Sequence, residues 1–98
     1  GFTGSDAAFE MVTEIGTLLD RIGAGRIMRG GGGADIGPLM RTGVPGMGFS
    51  VDGTRYFWYH HTDADTLDKL DPDEVALCVA TFAVMAYVVA DMPVRLPR

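Results

Sequence analysis

The stretch from Val75 to Ala90 holds sixteen residues and a single polar side chain, Thr81. Nothing else in the chain restricts its folding as strongly. The run follows Asp71-Pro72-Asp73-Glu74. Asp71 is suited to cap a helix, Pro72 to occupy its first position, and Glu74 to complete a capping box. The pattern predicts a helix from there to about Asp91. Such a helix is apolar nearly all round, so it is a buried helix or a membrane helix. Sixteen residues fall short of the ~20 that span a bilayer. Five of them are alanine, and acids flank both ends. The favoured expectation is a helix buried in a larger protein, with no membrane span. A 98-residue chain has little with which to cover that much apolar surface. The run therefore points to further structure or to a partner. Sheet edges and the last helix, left uncovered, should drive self-association or homo-oligomer formation.

Composition narrows the possibilities. Hydrophobic residues make up 47% and charged residues 21%, which argues against disorder. The length fits a single domain over residues 1–98, burying roughly 60–70% of its unfolded surface. Eight basic residues face thirteen acidic ones, for a net charge of −5. That balance excludes nucleic acid as an expected partner, because no basic patch is available to neutralise phosphates. The lone Cys78 cannot form an internal disulfide. One cysteine and two histidines, His60 and His61, also exclude most self-contained Cys/His zinc sites. The first residues lack the charged and apolar regions of a signal peptide. A start at Gly1 rather than Met suggests processing or a cut from something longer.

Residues 5–22 predict an amphipathic helix. Ser5 is a plausible N-cap, and Asp6 and Glu10 suit the positive end of the dipole. Ala8, Met11, Val12, Ile15, Leu18, Leu19 and Ile22 recur at helical spacing, and Gly23 is a reasonable stop. Arg26 to Arg29 reads as a short strand. The four glycines Gly30 to Gly33 demand a loop. A helical turn follows from Ala34 or Asp35 to about Arg41, then a break, then a strand from Met47 to Val51. Asp52-Gly53 suggests a turn. Residues from Thr54 into the histidine pair read as an extended segment entering a loop. The expected order is helix, strand, short helix, strand, helix. That is an α/β arrangement with helices covering a small sheet.

Three clusters invite chemistry. The glycine run lacks the Gly-Lys-Ser/Thr ending of a phosphate loop, so a glycine-rich wall close to a ligand is the better reading. His60 and His61 amid acids suggest a metal. Neighbours in an extended segment point to opposite sides, so at most one would face a given site. The acids from Asp63 to Glu74 lack EF-hand spacing, and capping and solvation explain most of them.

Tyr56-Phe57-Trp58-Tyr59-His60-His61-Thr62-Asp63-Ala64-Asp65-Thr66-Leu67-Asp68 resembles the last metal-ligand motif of the carboxypeptidase Q-like zinc peptidases. These belong to the co-catalytic dizinc exopeptidases, whose motif reads His-(Ser/Thr)-x-x-Asp-Thr. Two further blocks are similar to that family. One is Gly32-Gly33-Ala34-Asp35-Ile36-Gly37-Pro38-Leu39-Met40 with Gly43-Val44-Pro45. The other is Asp71-Pro72 with the apolar helix ending Ala90-Asp91-Met92-Pro93.

The resemblance implies the C-terminal part of a helix-sheet-helix sandwich enzyme. In that family two zinc ions share a bridging water, a separate glutamate is the general base, and peptides or dipeptides are the substrates. It implies that His61, directly before Thr62, is a zinc ligand. His60 and Tyr59 then line the substrate pocket, together with Asp65, Gly33 and Asp35, while Asp65 and Thr66 shape the loop. The family's first His-x-Asp ligand, bridging aspartate and Glu-Glu pair have no counterpart here. The chain alone is therefore expected to lack peptidase activity and to bind zinc weakly. Family members are commonly exported, so a secreted or periplasmic parent is implied.

Overall fold

The computed structural model describes residues 1–98. Its core is small and sits at the N-terminal end of the chain. Ser5 opens helix α1 (Asp6–Gly16) by accepting from the Ala8 amide at 3.3 Å. The helix tightens into a 3₁₀ segment, Thr17–Ile22, and stops at Gly23. Gly23 takes φ 73°, a left-handed conformation that costs glycine little and a side-chain-bearing residue much more. Ala8, Val12, Ile15 and Leu19 are all buried, so one continuous stripe of the helix faces inward.

Strand β1 (Phe2–Thr3) pairs antiparallel with β2 (Gly46–Met47), Phe2 opposite Met47 and Thr3 opposite Gly46. On its other side Phe2 forms a parallel bridge to Arg29. Its amide donates to the Met28 carbonyl at 2.7 Å, and its own carbonyl accepts from Gly30 at 2.9 Å. Between these partners the Phe2 side chain is 1% exposed. Arg29 packs its guanidinium 3.9 Å from the Phe9 ring centroid and pairs with Asp6 at 2.5 Å, closing the outer side of this corner.

The last helix begins as the sequence indicates. After the short helices α2 (Gly37–Met40) and α3 (Tyr56–Tyr59), α4 runs over Pro72–Asp91. The Asp71 carboxylate accepts from the Asp73 and Glu74 amides at 2.8 and 3.2 Å, a cap worth about 1 kcal/mol. Glu74 does not return a bond to Asp71, so the capping box is half formed. One stripe of α4, centred on Thr81 and Met85, meets the core, with Val84, Val88, Val89 and Met92 packed at its margin. The Ser5 hydroxyl donates to the Pro97 carbonyl at 3.0 Å and ties the C-terminal end back to α1.

The mixed α/β class holds, but the expected order does not. The structure has two-residue strands at Phe2–Thr3 and Gly46–Met47, and the helices α1, α2, α3 and α4. Arg26–Arg29 contributes a single bridge rather than a strand, and the strand foreseen over Met47–Val51 is confined to its first residue. Strands form only where a neighbour takes their hydrogen bonds, and here few neighbours are within reach.

Burial is lower than the length suggests. Nine residues are buried, and Val75, Leu77, Val79, Phe82 and Tyr87 of α4 are all exposed. The accessible surface is 7389 Å². A compact monomer of this mass exposes about 5,400 Å², so roughly 2,000 Å² is in excess, and only about half of the unfolded surface is buried. The radius of gyration is 14.9 Å, against about 13 Å for a compact chain of this length. The sixteen-residue run also understates α4. At twenty residues it is long and apolar enough to cross a membrane by length and composition, so its length does not argue against a span.

Candidate metal-ligand turn and adjoining cleft

The histidine pair sits at the end of α3, not in an extended strand. The chain turns first at Asp52, whose carboxylate accepts from the Thr54 amide at 2.9 Å. The Tyr56 amide then bonds Gly53, Trp58 bonds Arg55, and His60 bonds the Tyr56 carbonyl at 2.9 Å. This local turn chemistry overrides the strand preference of the four aromatics. Helix α3 ends at His60, and His61 takes φ 60°. A left-handed histidine is uncommon and is held here by its successor. The Thr62 amide and hydroxyl both donate to the Tyr59 carbonyl, at 2.9 and 2.7 Å, and Ala64 donates to the Thr62 hydroxyl at 3.2 Å. Thr62 thus fixes the turn that presents His61.

The reversal changes the geometry of the pair. The two rings do not point to opposite sides; their centroids lie 3.7 Å apart. Their surroundings still differ. His60 stacks on Tyr56 at 4.3 Å, and its Nε2 lies 3.1 Å from the Tyr56 hydroxyl. His61 is exposed, and its ring makes no hydrogen bond. As donor chemistry this turn fits one imidazole ligand. No three His, Cys, Asp or Glu side chains gather to complete a metal site within the chain.

A cleft of about 580 Å³ opens between this region and the first turns of α4. Tyr59, His60 and Asp65 line it, opposite Glu74, Val75 and Cys78. His61, Gly33 and Asp35 do not. Gly33 and Asp35 are exposed in the segment before α2. Arg55 and Glu74 also line the cleft, and the motif did not single them out. Arg55 was legible only through the Asp52-Gly53 turn, which starts the short helix that carries it.

Three charged groups near the cleft depart from their ordinary titration. The backbone bond from Thr54 lowers the Asp52 pKa below the usual carboxylate range, helped by the Thr54 side chain and Arg55. The Lys69 ammonium, followed by the Thr66 hydroxyl, lowers Asp68. The same Asp68 contact raises Lys69. All three groups are exposed, so salt screens these effects.

Residues 4–86 match peptidase family M28. The chain belongs to this family. Within M28 it is similar to carboxypeptidase Q from Mus musculus, at 40% identity over 97 residues. The Xenopus laevis and Homo sapiens proteins of the same name are 41% and 38% identical over the same length. Each alignment takes in 99% of this chain and 21% of the relative. The chain thus spans about a fifth of the length of the curated M28 relatives it matches. No solved structure matches it at a significant level.

Proposed function

We propose that this chain is the C-terminal part of a zinc-dependent exopeptidase: an aminopeptidase, carboxypeptidase or dipeptidase. His61 holds one of its two zinc ions, and the cleft beside His60 forms part of the substrate pocket. One observation carries the assignment of His61. Within the sequence His-Thr-Asp-Ala-Asp-Thr its ring is open to solvent and free of hydrogen bonds, while the Nε2 of His60 is engaged by Tyr56. The donor set fits one corner of a shared site. The remaining ligands and the general base lie elsewhere in the protein, since this chain has three glutamates and none are adjacent.

Bound zinc supplies polarisation of the scissile carbonyl and a water of lowered pKa. The residues of this chain present and enclose. His61 offers a neutral imidazole, Thr62 fixes its backbone, and Tyr56 anchors His60 beside it. Tyr59 and Asp65 wall the pocket. The family resemblance also assigns Gly33 and Asp35 to the pocket, in a part of it outside this cleft.

The excess surface of roughly 2,000 Å² supports placing α4 inside a helix-sheet-helix sandwich built with the rest of the protein. Left uncovered, this surface makes the isolated chain self-associate; a strictly monomeric chain by light scattering at high concentration would contradict that. Export of the intact protein belongs to the same proposal.

The test is a chimera in which this chain replaces the matching 97 residues of mouse carboxypeptidase Q. Zinc-dependent dipeptide hydrolysis is expected from the chimera and not from the isolated chain. A folded, inactive chimera would favour a non-catalytic binding or assembly module with a peptidase-like fold. Hydrolysis by the isolated chain would refute its dependence on outside ligands.

A further inference from the structure

His61 is the one residue with a side chain whose φ is positive. Elsewhere that conformation falls to glycines, Gly23 and Gly43 among them. A Cβ makes it costly, and histidine tolerates it better than most residues without adopting it freely. The surrounding bonds have to hold it there.

The end of α2 carries a closely related turn. Thr42 donates from its amide and its hydroxyl to the Leu39 carbonyl, at 2.9 and 2.7 Å. Thr62 makes the same two bonds to the Tyr59 carbonyl at the same distances. Yet Arg41, directly before Thr42, is right-handed at φ −64°, and the left-handed position there falls on Gly43. The paired donation therefore does not by itself turn the preceding residue over. The difference lies in what the hydroxyl accepts. Thr62 Oγ1 takes the Ala64 amide at 3.2 Å, whereas Thr42 Oγ1 only donates. The other threonine hydroxyls that hydrogen-bond likewise only donate. At residue 62 a single hydroxyl thus ties the chain before His61 to the chain after it.

We propose that Thr62 is the positioning residue of the metal-ligand turn, and that its hydroxyl, bridging the Tyr59 carbonyl and the Ala64 amide, sets the direction of the His61 imidazole before any metal arrives. This rests on the reading of His61 as a zinc ligand and deepens it. The direction in which residue 61 projects its side chain follows from its φ, so loss of the bridge lets the ring swing away. A ligand already aimed spares the metal the cost of ordering the turn. Thr62 acts through His61, and it is the hydroxyl that acts and not the bulk of the side chain.

The experiment compares Thr62→Val, which keeps the shape and removes both hydroxyl bonds, with Thr62→Ser, which keeps the bonds. One readout needs no metal. A positive φ brings a residue's amide hydrogen close to its own Hα, which gives a strong NOE between them in the NMR spectrum of the 98-residue chain in dilute solution. That signal at His61 is expected in the unsubstituted chain and in Thr62→Ser, and it should fade in Thr62→Val. The second readout is the zinc affinity of the mouse chimera. Thr62→Val should weaken it about 10-fold, the lower end of what outer partners of a zinc ligand are worth. Thr62→Ser should stay close to the original. A left-handed His61 that persists in Thr62→Val, unchanged zinc affinity in that variant, or a Thr62→Ser protein as weak as Thr62→Val would each overturn the proposal. His61→Ala separates this failure from failure of the ligand reading. Zinc lost from His61→Ala but kept by Thr62→Val rejects the Thr62 role alone, and zinc kept by His61→Ala rejects the ligand reading beneath it.

Discussion

Phe2→Ala is expected to unfold the isolated chain or to lower its Tm by more than 10 °C. Phe2 is 1% exposed and belongs to a core of only six hydrophobic residues. Its backbone joins β2 on one side and the Met28–Gly30 segment on the other, so its ring fills the point where three segments meet. Truncating a buried phenylalanine costs about 3–5 kcal/mol, from lost transfer energy plus the cavity left behind. A domain of this size holds only ~5–15 kcal/mol in total, and nine buried residues place it low in that range. Each kcal/mol moves the midpoint of such a domain by roughly 4–8 °C. A thermal melt followed by circular dichroism reads the effect. A fall of less than 5 °C would show that the ring carries little of the stability. Phe57→Ala is the contrasting substitution, because that ring is 82% exposed and should cost far less.

His61→Ala is expected to have the largest effect on activity. In the mouse chimera it removes the proposed zinc ligand, which should cost zinc affinity at least 100-fold, since even outer-shell partners of a zinc ligand are worth 10–100-fold. Hydrolysis at limiting zinc should fall with it. His60→Ala is the internal control. It removes the stack on Tyr56 and part of the cleft wall, so it should affect substrate affinity more than metal content. The two substitutions lie side by side on rings 3.7 Å apart, and general damage to the turn would affect both readouts in both variants. Divergence between them is the signature of one ligand and one neighbour.

The helix ends were legible because their chemistry is local. Ser5, Gly23 and Asp71 each act within a few residues of their own position, and each appears where its side chain or backbone freedom predicts. Phe2–Thr3 was not legible. Two residues carry no alternation, and their order comes from Met47 and Arg29, far along the chain. The aromatic run misled for a different reason. Tyr56-Phe57-Trp58-Tyr59 has strand-forming composition, but the Asp52 turn sets its direction and makes a helical turn cheaper than an unpaired strand. The histidine motif pointed to His61, yet its left-handed backbone and the threonine that holds it became visible only in three dimensions.

On the proposed reading His61, and not its neighbour, binds the metal. The most direct measurement is the zinc content of purified chimeras by elemental analysis after dialysis at limiting free zinc. The unsubstituted and His60→Ala proteins are expected to retain equal zinc, and the folded His61→Ala protein to lose at least one equivalent. Full zinc retention by His61→Ala, with loss from His60→Ala, would contradict the account.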